Sequence, residues 1–158
     1  MNIKYTICFI RKKTPSADEI LMLYRYKEPN IYKWNGVGGK LEKAETPLES
    51  CLREVDEETG LKVKNMNYRG IVSWNNEGGM YVFSAEYDEG EMVDCDEGVL
   101  NWKDIEWVKS SKEVVSNISY FLDAIFSKDQ PVEHAFTYNQ VGDIIEYETK
   151  VIENCVLV

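Results

Sequence analysis

Apolar residues in this chain follow two rhythms. Tyr5–Ile10 is a β-rich apolar run and predicts a central strand. Ile20–Tyr24 predicts a second, with Lys12–Asp18, carrying Pro15 and Ser16, as the loop between them. Pro29–Gly39 has neither rhythm and ends in Gly36-Val37-Gly38-Gly39. The period then lengthens. Leu48, Cys51, Leu52 and Val55 recur at i, i+3, i+4, i+7 and predict a helix over Pro47–Glu58 with one buried stripe. Thr46 is an N-cap residue type, Pro47 suits the first helical position, Glu49 completes a capping box, and Gly60 is a C-terminal stop. Further strands are expected at Tyr68–Trp74 and Met80–Tyr87, around the turn-prone Asn75–Gly79, with a short one at Glu106–Lys109. Val114, Ile118, Phe121, Leu122 and Ile125 predict a second amphipathic helix over Val114–Phe126. Glu133–Tyr138 and Asp143–Ile152 read as a closing hairpin. Strands and helices interleave without strict βαβ alternation, so the expected class is α+β, a mixed β-sheet packed between helices (an α/β/α sandwich).

Composition adds bounds. The chain has 158 residues, 44% apolar and 29% charged, with no linker, repeat or low-complexity tract. These values predict a single domain over residues 1–158. No apolar run approaches the roughly 20 residues of a membrane span, and Met1–Tyr5 does not open a signal peptide, so the expected location is cytoplasmic, without a membrane partner. Cys8, Cys51, Cys95 and Cys155 are scattered and read as free thiols. The net charge of −10, with no basic stripe, argues against a nucleic-acid partner. A monomer or a homodimer is expected. Any phosphate-rich ligand must be neutralised by a metal ion and a few local cations.

The predicted helix Pro47–Glu58 brings in chemistry. Glu54, Glu57 and Glu58 lie at i, i+3, i+4 on one arc. Like charges at that spacing cost an isolated helix about 0.2–0.5 kcal/mol per pair. The last turn also disfavours negative charge because of the helix dipole. An acidic face in solvent accounts for such a run in many acidic proteins. A divalent cation bound by oxygen ligands reverses the sign of both penalties.

The surrounding register decides between these readings. From Gly39 to Leu61 the residues fit G-x5-E-x7-R-E-U-x-E-E-x-G-U, U being apolar, through Gly39, Glu45, Arg53, Glu54, Val55, Glu57, Glu58, Gly60 and Leu61. This resembles the signature of the Nudix hydrolases. The resemblance implies an enzyme, a pyrophosphohydrolase dependent on Mg2+ or Mn2+, with a small-molecule nucleotide as substrate. It makes Glu54, Glu57 and Glu58 metal ligands, with Gly38 and Gly39 where the backbone approaches the metal. Arg53 matches a residue that braces the carboxylates. Glu45 and Gly60 match structural positions of the motif. The general base is Glu57 or Glu97, the latter in a segment, Asp96–Trp102, resembling a loop where relatives carry an additional metal-binding or basic glutamate.

Trp34-Asn35-Gly36-Val37-Gly38-Gly39-Lys40 is similar to the matching segment of the MutT-like nucleoside triphosphate pyrophosphohydrolases. That likeness implies hydrolysis of a nucleoside triphosphate, oxidised purine forms included, to monophosphate and pyrophosphate. Asn35 becomes the base reader, its amide offering donor and acceptor. Lys40 and Arg25 are candidate phosphate contacts. The human member of that subgroup reads its base with two adjacent aspartates before the last helix. This chain has Asn117-Ile118 there, which keeps one polar reader and loses the other. Dinucleotides, nucleotide sugars and capped RNA are the alternative substrates within the family. A non-catalytic binding module is the alternative outside enzymes. Trp34, Trp74, Trp102 and Trp107 are read as core or rim, and His134 as structural.

Overall fold

The computed structural model describes residues 1–152. Two long strands, β1 (Asn2–Thr14) and β2 (Ala17–Arg25), form a hairpin about Pro15-Ser16, so the expected loop Lys12–Asp18 is mostly strand. Two short strands follow, β3 (Trp34–Asn35) and β4 (Val37–Lys40), where an irregular stretch was expected. Helix α1 spans Pro47–Thr59. Then come β5 (Lys62–Trp74), β6 (Gly78–Glu89), β7 (Gly98–Asp104), α2 (Ile105–Ser110), α3 (Ile118–Ile125), β8 (Val132–Tyr138) and β9 (Ile144–Val151).

The strands form one mixed sheet ordered β3-β2-β1-β6-β5-β8-β9, with β4 also paired to β1 and β7 to β2. β1/β6 and β5/β8 are parallel, and the remaining pairs are antiparallel. One edge of β1 is shared. Tyr5–Cys8 pairs with β4, and Arg11–Thr14 pairs with β2. This division leaves β4 pinned between the sheet and α1.

Alternation along the strands builds a core on each face. Ile7 and Phe9 of β1, with Ile20 and Met22 of β2, face α2 and α3, where Val108, Ile118, Phe121, Leu122 and Ile125 meet them. Cys8 and Ile10, with Leu21 and Phe83, face α1, which supplies Cys51 and Val55. The sheet between helices is therefore as expected.

Three expectations need correction. Glu106–Lys109 is helix α2, not a strand. The Asp104 carboxylate accepts from the Glu106 and Trp107 amides and starts a helical turn, with Val108 buried. The strand lies just before it, as β7, in a segment taken for a loop; β7 pairs along β2 from Glu19↔Asp104 to Arg25↔Gly98. Helix α3 begins at Ile118, not Val114, because the preceding backbone is bonded to β3: the Trp34 amide donates to the Glu113 carbonyl and the Val115 amide to the Trp34 carbonyl (2.9 and 3.0 Å). Finally, Leu52 is exposed, at 46%. The buried face of α1 runs instead through Pro47, Ser50, Cys51, Val55, Glu58 and Thr59. Cys8, Cys51 and Cys95 are free thiols; Cys155 lies outside the described residues. Among the described residues no helix is long and apolar enough to cross a membrane.

Candidate active site

Helix α1 is fixed at both ends. The Thr46 hydroxyl accepts from the Glu49 amide and the Glu49 carboxylate accepts from the Thr46 amide, both at 3.1 Å. Gly60 caps the other end at φ 69°, a left-handed conformation natural to glycine, and its N–H donates to the Asp56 carbonyl. Between the caps the helix carries the motif residues to the edge of β4.

Arg53 organises the acidic cluster. Its Nε and Nη2 donate to the two Glu45 carboxylate oxygens at 2.6 and 2.9 Å. Nη1 donates to Glu54 at 3.1 Å and to Glu57 at 3.2 Å, and Nη2 reaches the Lys40 carbonyl at 3.3 Å. The planar guanidinium thus ties the loop after β4 to the helix, a task lysine lacks the fork to perform. The Arg53 bonds, with the Glu42 amide, hold the Glu45 carboxyl down to about 2.

Glu54 and Glu58 stand on the core side of this cluster. Glu58 is 7% exposed, and its Oε2 is buried without a hydrogen-bond partner. Burial, then the neighbouring charges of Glu54 and Glu97, push the Glu58 carboxyl up to about 8. Burial also raises Glu54, against the opposing pull of Arg53. The carboxylate of Glu54 lies against Gly39, where any Cβ would collide with it. Gly38 is closed in from the other side by the Thr6 carbonyl. Glu57 stands apart, exposed and turned to Arg53. No three carboxylate, thiol or imidazole groups converge on one point among the described residues. The donor set nevertheless suits a hard divalent cation: two adjacent carboxylates with raised pKa, one orphaned oxygen, and a backbone stripped of side chains beside them.

The other expected residues are distributed around this centre. Glu97, just before β7, pairs with Arg25 at 3.2 Å, and its carbonyl accepts from the Tyr26 amide. Arg25 also donates to the Pro29 carbonyl at 2.7 Å, so it is committed to its own loop and to Glu97. The Arg25–Glu97 pairing escapes sequence reading because it depends on β7, which brings Gly98 opposite Arg25. Lys40 is exposed at the end of β4. The Asn35 Oδ1 accepts from the Gly36 amide at 2.8 Å, which leaves its NH2 group available. Asn117 is buried at the start of α3; its amide donates to the Tyr138 hydroxyl at 3.3 Å and its Oδ1 has no partner. Tyr138, expected only as part of the closing hairpin, is thereby a neighbour of the candidate base reader. The bridge from Trp34 to residues 113–115 brings Asn35 and Asn117 to the same end of the sheet. His134 is buried, bonded to the Tyr147 hydroxyl at 2.8 Å, and takes no part in the cluster. Two shallow hollows, of about 210 and 360 Å3, include no residue of α1 in their walls.

Known proteins resemble this chain in sequence and in fold. Residues 4–124 match the NUDIX domain family. The uncharacterized Nudix hydrolase YvcI of Bacillus subtilis is 26% identical over 139 residues, covering 82% of this chain and 85% of that protein. The oxidized purine nucleoside triphosphate hydrolase of Danio rerio is 33% identical over 94 residues, covering 56% of this chain and 60% of its own length. Among solved structures, a mutator MutT protein from Bacillus halodurans superposes with a TM-score of 0.74 at 28% identity, covering 92% of this chain and 95% of that one. Nudix hydrolases generally use divalent cations and act on small nucleotide-linked substrates. With the signature residues gathered about α1 and the fold shared, the chain belongs to the Nudix hydrolase family.

Proposed function

We propose that this enzyme hydrolyses a purine nucleoside triphosphate to monophosphate and pyrophosphate, using Mg2+ held by Glu54 and Glu58 beside Gly39. The observation that carries the reading is buried Glu58 with its orphaned Oε2 beside half-buried Glu54, a costly placement unless a cation completes it. Mg2+ bound there supplies charge neutralisation for the phosphate oxygens and lowers the pKa of water. The protein's own residues do the rest. Arg53 holds Glu54 and Glu57 in register with the Lys40 carbonyl. The attacking water forms a bond to the α-phosphorus, the bridging oxygen leaves on pyrophosphate, and the water's proton passes to a carboxylate. Glu97, whose charge is felt by Glu58, and Glu57, on the same helix turn, are the two acceptors, each paired with an arginine at 3.2 Å. The Arg25 guanidinium keeps the Glu97 side chain oriented.

Asn35 and Asn117 support the purine reading. The Asn35 NH2 and the Asn117 Oδ1 are left unfilled by protein partners, and together they supply a donor and an acceptor for a base edge. The likeness to an oxidized purine nucleoside triphosphate hydrolase supports the triphosphate. Ile118 is fully buried and offers no second polar reader, so selectivity for oxidised guanine over guanine is not part of the proposal. The test is a nucleotide panel with Mg2+, resolved by product. Monophosphate with pyrophosphate is expected from purine triphosphates. Release of orthophosphate, or no cleavage across the panel, refutes the reading.

A further inference from the structure

A second cluster of metal-ligating side chains lies under α1, away from the carboxylates. Cys8 projects from the middle of β1 and Cys51 from α1, and both are essentially inaccessible, at 0% and 1%. Met66 reaches them from β5. Its Sδ is 3.8 Å from the Cys8 Sγ and 3.7 Å from the Cys51 Sγ. The Cys51 thiol is itself close enough to Cys8 to raise its pKa well above the ordinary thiol value. Three sulfurs from three different elements therefore face one another.

The local backbone serves this meeting. The β5/β6 register slips between Lys64 and Asn67, and Asn65 adopts φ 53°. Such a bulge re-aims the side chain beside it. Met66 is only partly buried, so the cluster has one side near solvent. The spacing also has a chemical meaning. The two edges that meet at Met66, 3.8 and 3.7 Å, are short enough for one ion to touch both sulfurs of an edge at the ~2.3 Å of a metal–thiolate bond.

We propose that Cys8, Cys51 and Met66 form a three-sulfur binding site for a soft monovalent cation of the copper(I) class. Thiolate and thioether ligands select such ions, while the all-oxygen site on the same helix selects hard ones. Each thiol loses its proton to solvent as its sulfur bonds the cation; no electron is transferred and no oxidant is needed. A buried thiol gives up its proton only to an ion with strong affinity for sulfur. Hard cations used by the carboxylate site are therefore excluded from this one.

The experiment is an anaerobic titration of the full chain with copper(I) against a chromophoric bicinchoninate competitor, followed by X-ray absorption spectroscopy. One equivalent is expected to be retained, with three sulfur neighbours at about 2.2–2.3 Å. Cys8→Ser and Cys51→Ser should each weaken retention on the order of 100-fold, and Cys95→Ser or Cys155→Ser should not. Met66→Leu, which keeps the packing, should leave two sulfur neighbours. The wild-type spectrum and Met66→Leu decide the matter even where a cysteine variant fails to fold. Loss of all copper to the competitor, two-coordinate copper in the wild type, or dependence on Cys95 or Cys155 instead overturns the proposal.

Discussion

Glu58→Gln removes one ionisable carboxyl from the buried face of α1 while keeping the side chain's shape. In the metal-free protein the Glu58 carboxyl is raised from 4.5 to about 8 by burial and by Glu54 and Glu97. An acid raised on folding is protonated in the native state while its unfolded counterpart has already ionised. Stability is then full below about pH 4.5 and falls as pH climbs through that window toward 8. The whole shift corresponds to about 5 kcal/mol at 1.36 kcal/mol per unit. Glu54 shares the titration and water reaches the rim, so about 2 kcal/mol is the expected loss. Glutamine does not ionise and escapes that loss. Thermal unfolding in EDTA should show Glu58→Gln and wild type together at pH 5, and the variant higher by about 4–8 °C at pH 9. Excess Mg2+ should reverse the order at pH 8, because only wild type gains the binding energy. Parallel curves at pH 5 and pH 9 would refute the account of Glu58 as a desolvated acid.

Arg53→Lys loses the paired bonds to Glu45 and the shared reach to Glu54 and Glu57. Turnover should fall about 10–100-fold, with far-UV circular dichroism unchanged; wild-type turnover would show that the fork is dispensable. Val55→Ala should cost about 2 kcal/mol in urea unfolding, whereas Leu52→Ala should cost less than about 0.5 kcal/mol. The reverse order would contradict the observed orientation of α1.

The signature made the helix and its acids legible, because caps and register are local. Thr46, Glu49 and Gly60 behave as their residue types dictate. What a linear reading missed is set by pairing across the sheet. Gly98–Asp104 alternates too weakly to announce a strand, and only its partner β2 makes it one. Its alternation was obscured by Trp102 and Lys103: the Trp102 ring sits against Tyr87 and under the Lys12 ammonium, and the Lys103 ammonium lies over the rings of Trp34 and Trp107. The Arg25–Glu97 pair was hidden for the same reason. Leu52 misled because a hydrophobic stripe has an angular width, and Glu58 took the place beside Cys51 and Val55 that an apolar residue would ordinarily hold.

The main-chain bridge between Trp34 and residues 113–115 has a consequence for how specificity changes. Both partners in it are amides and carbonyls, which substitution of side chains leaves in place. Asn35 and Asn117 are thus mounted on one rigid frame, each a short step from the same pair of bonds. On the proposed reading, a new base preference needs only a new amino acid at 35, 117 or 118, with the socket's dimensions preserved. The frame works as a fixed lock body into which different pins are set.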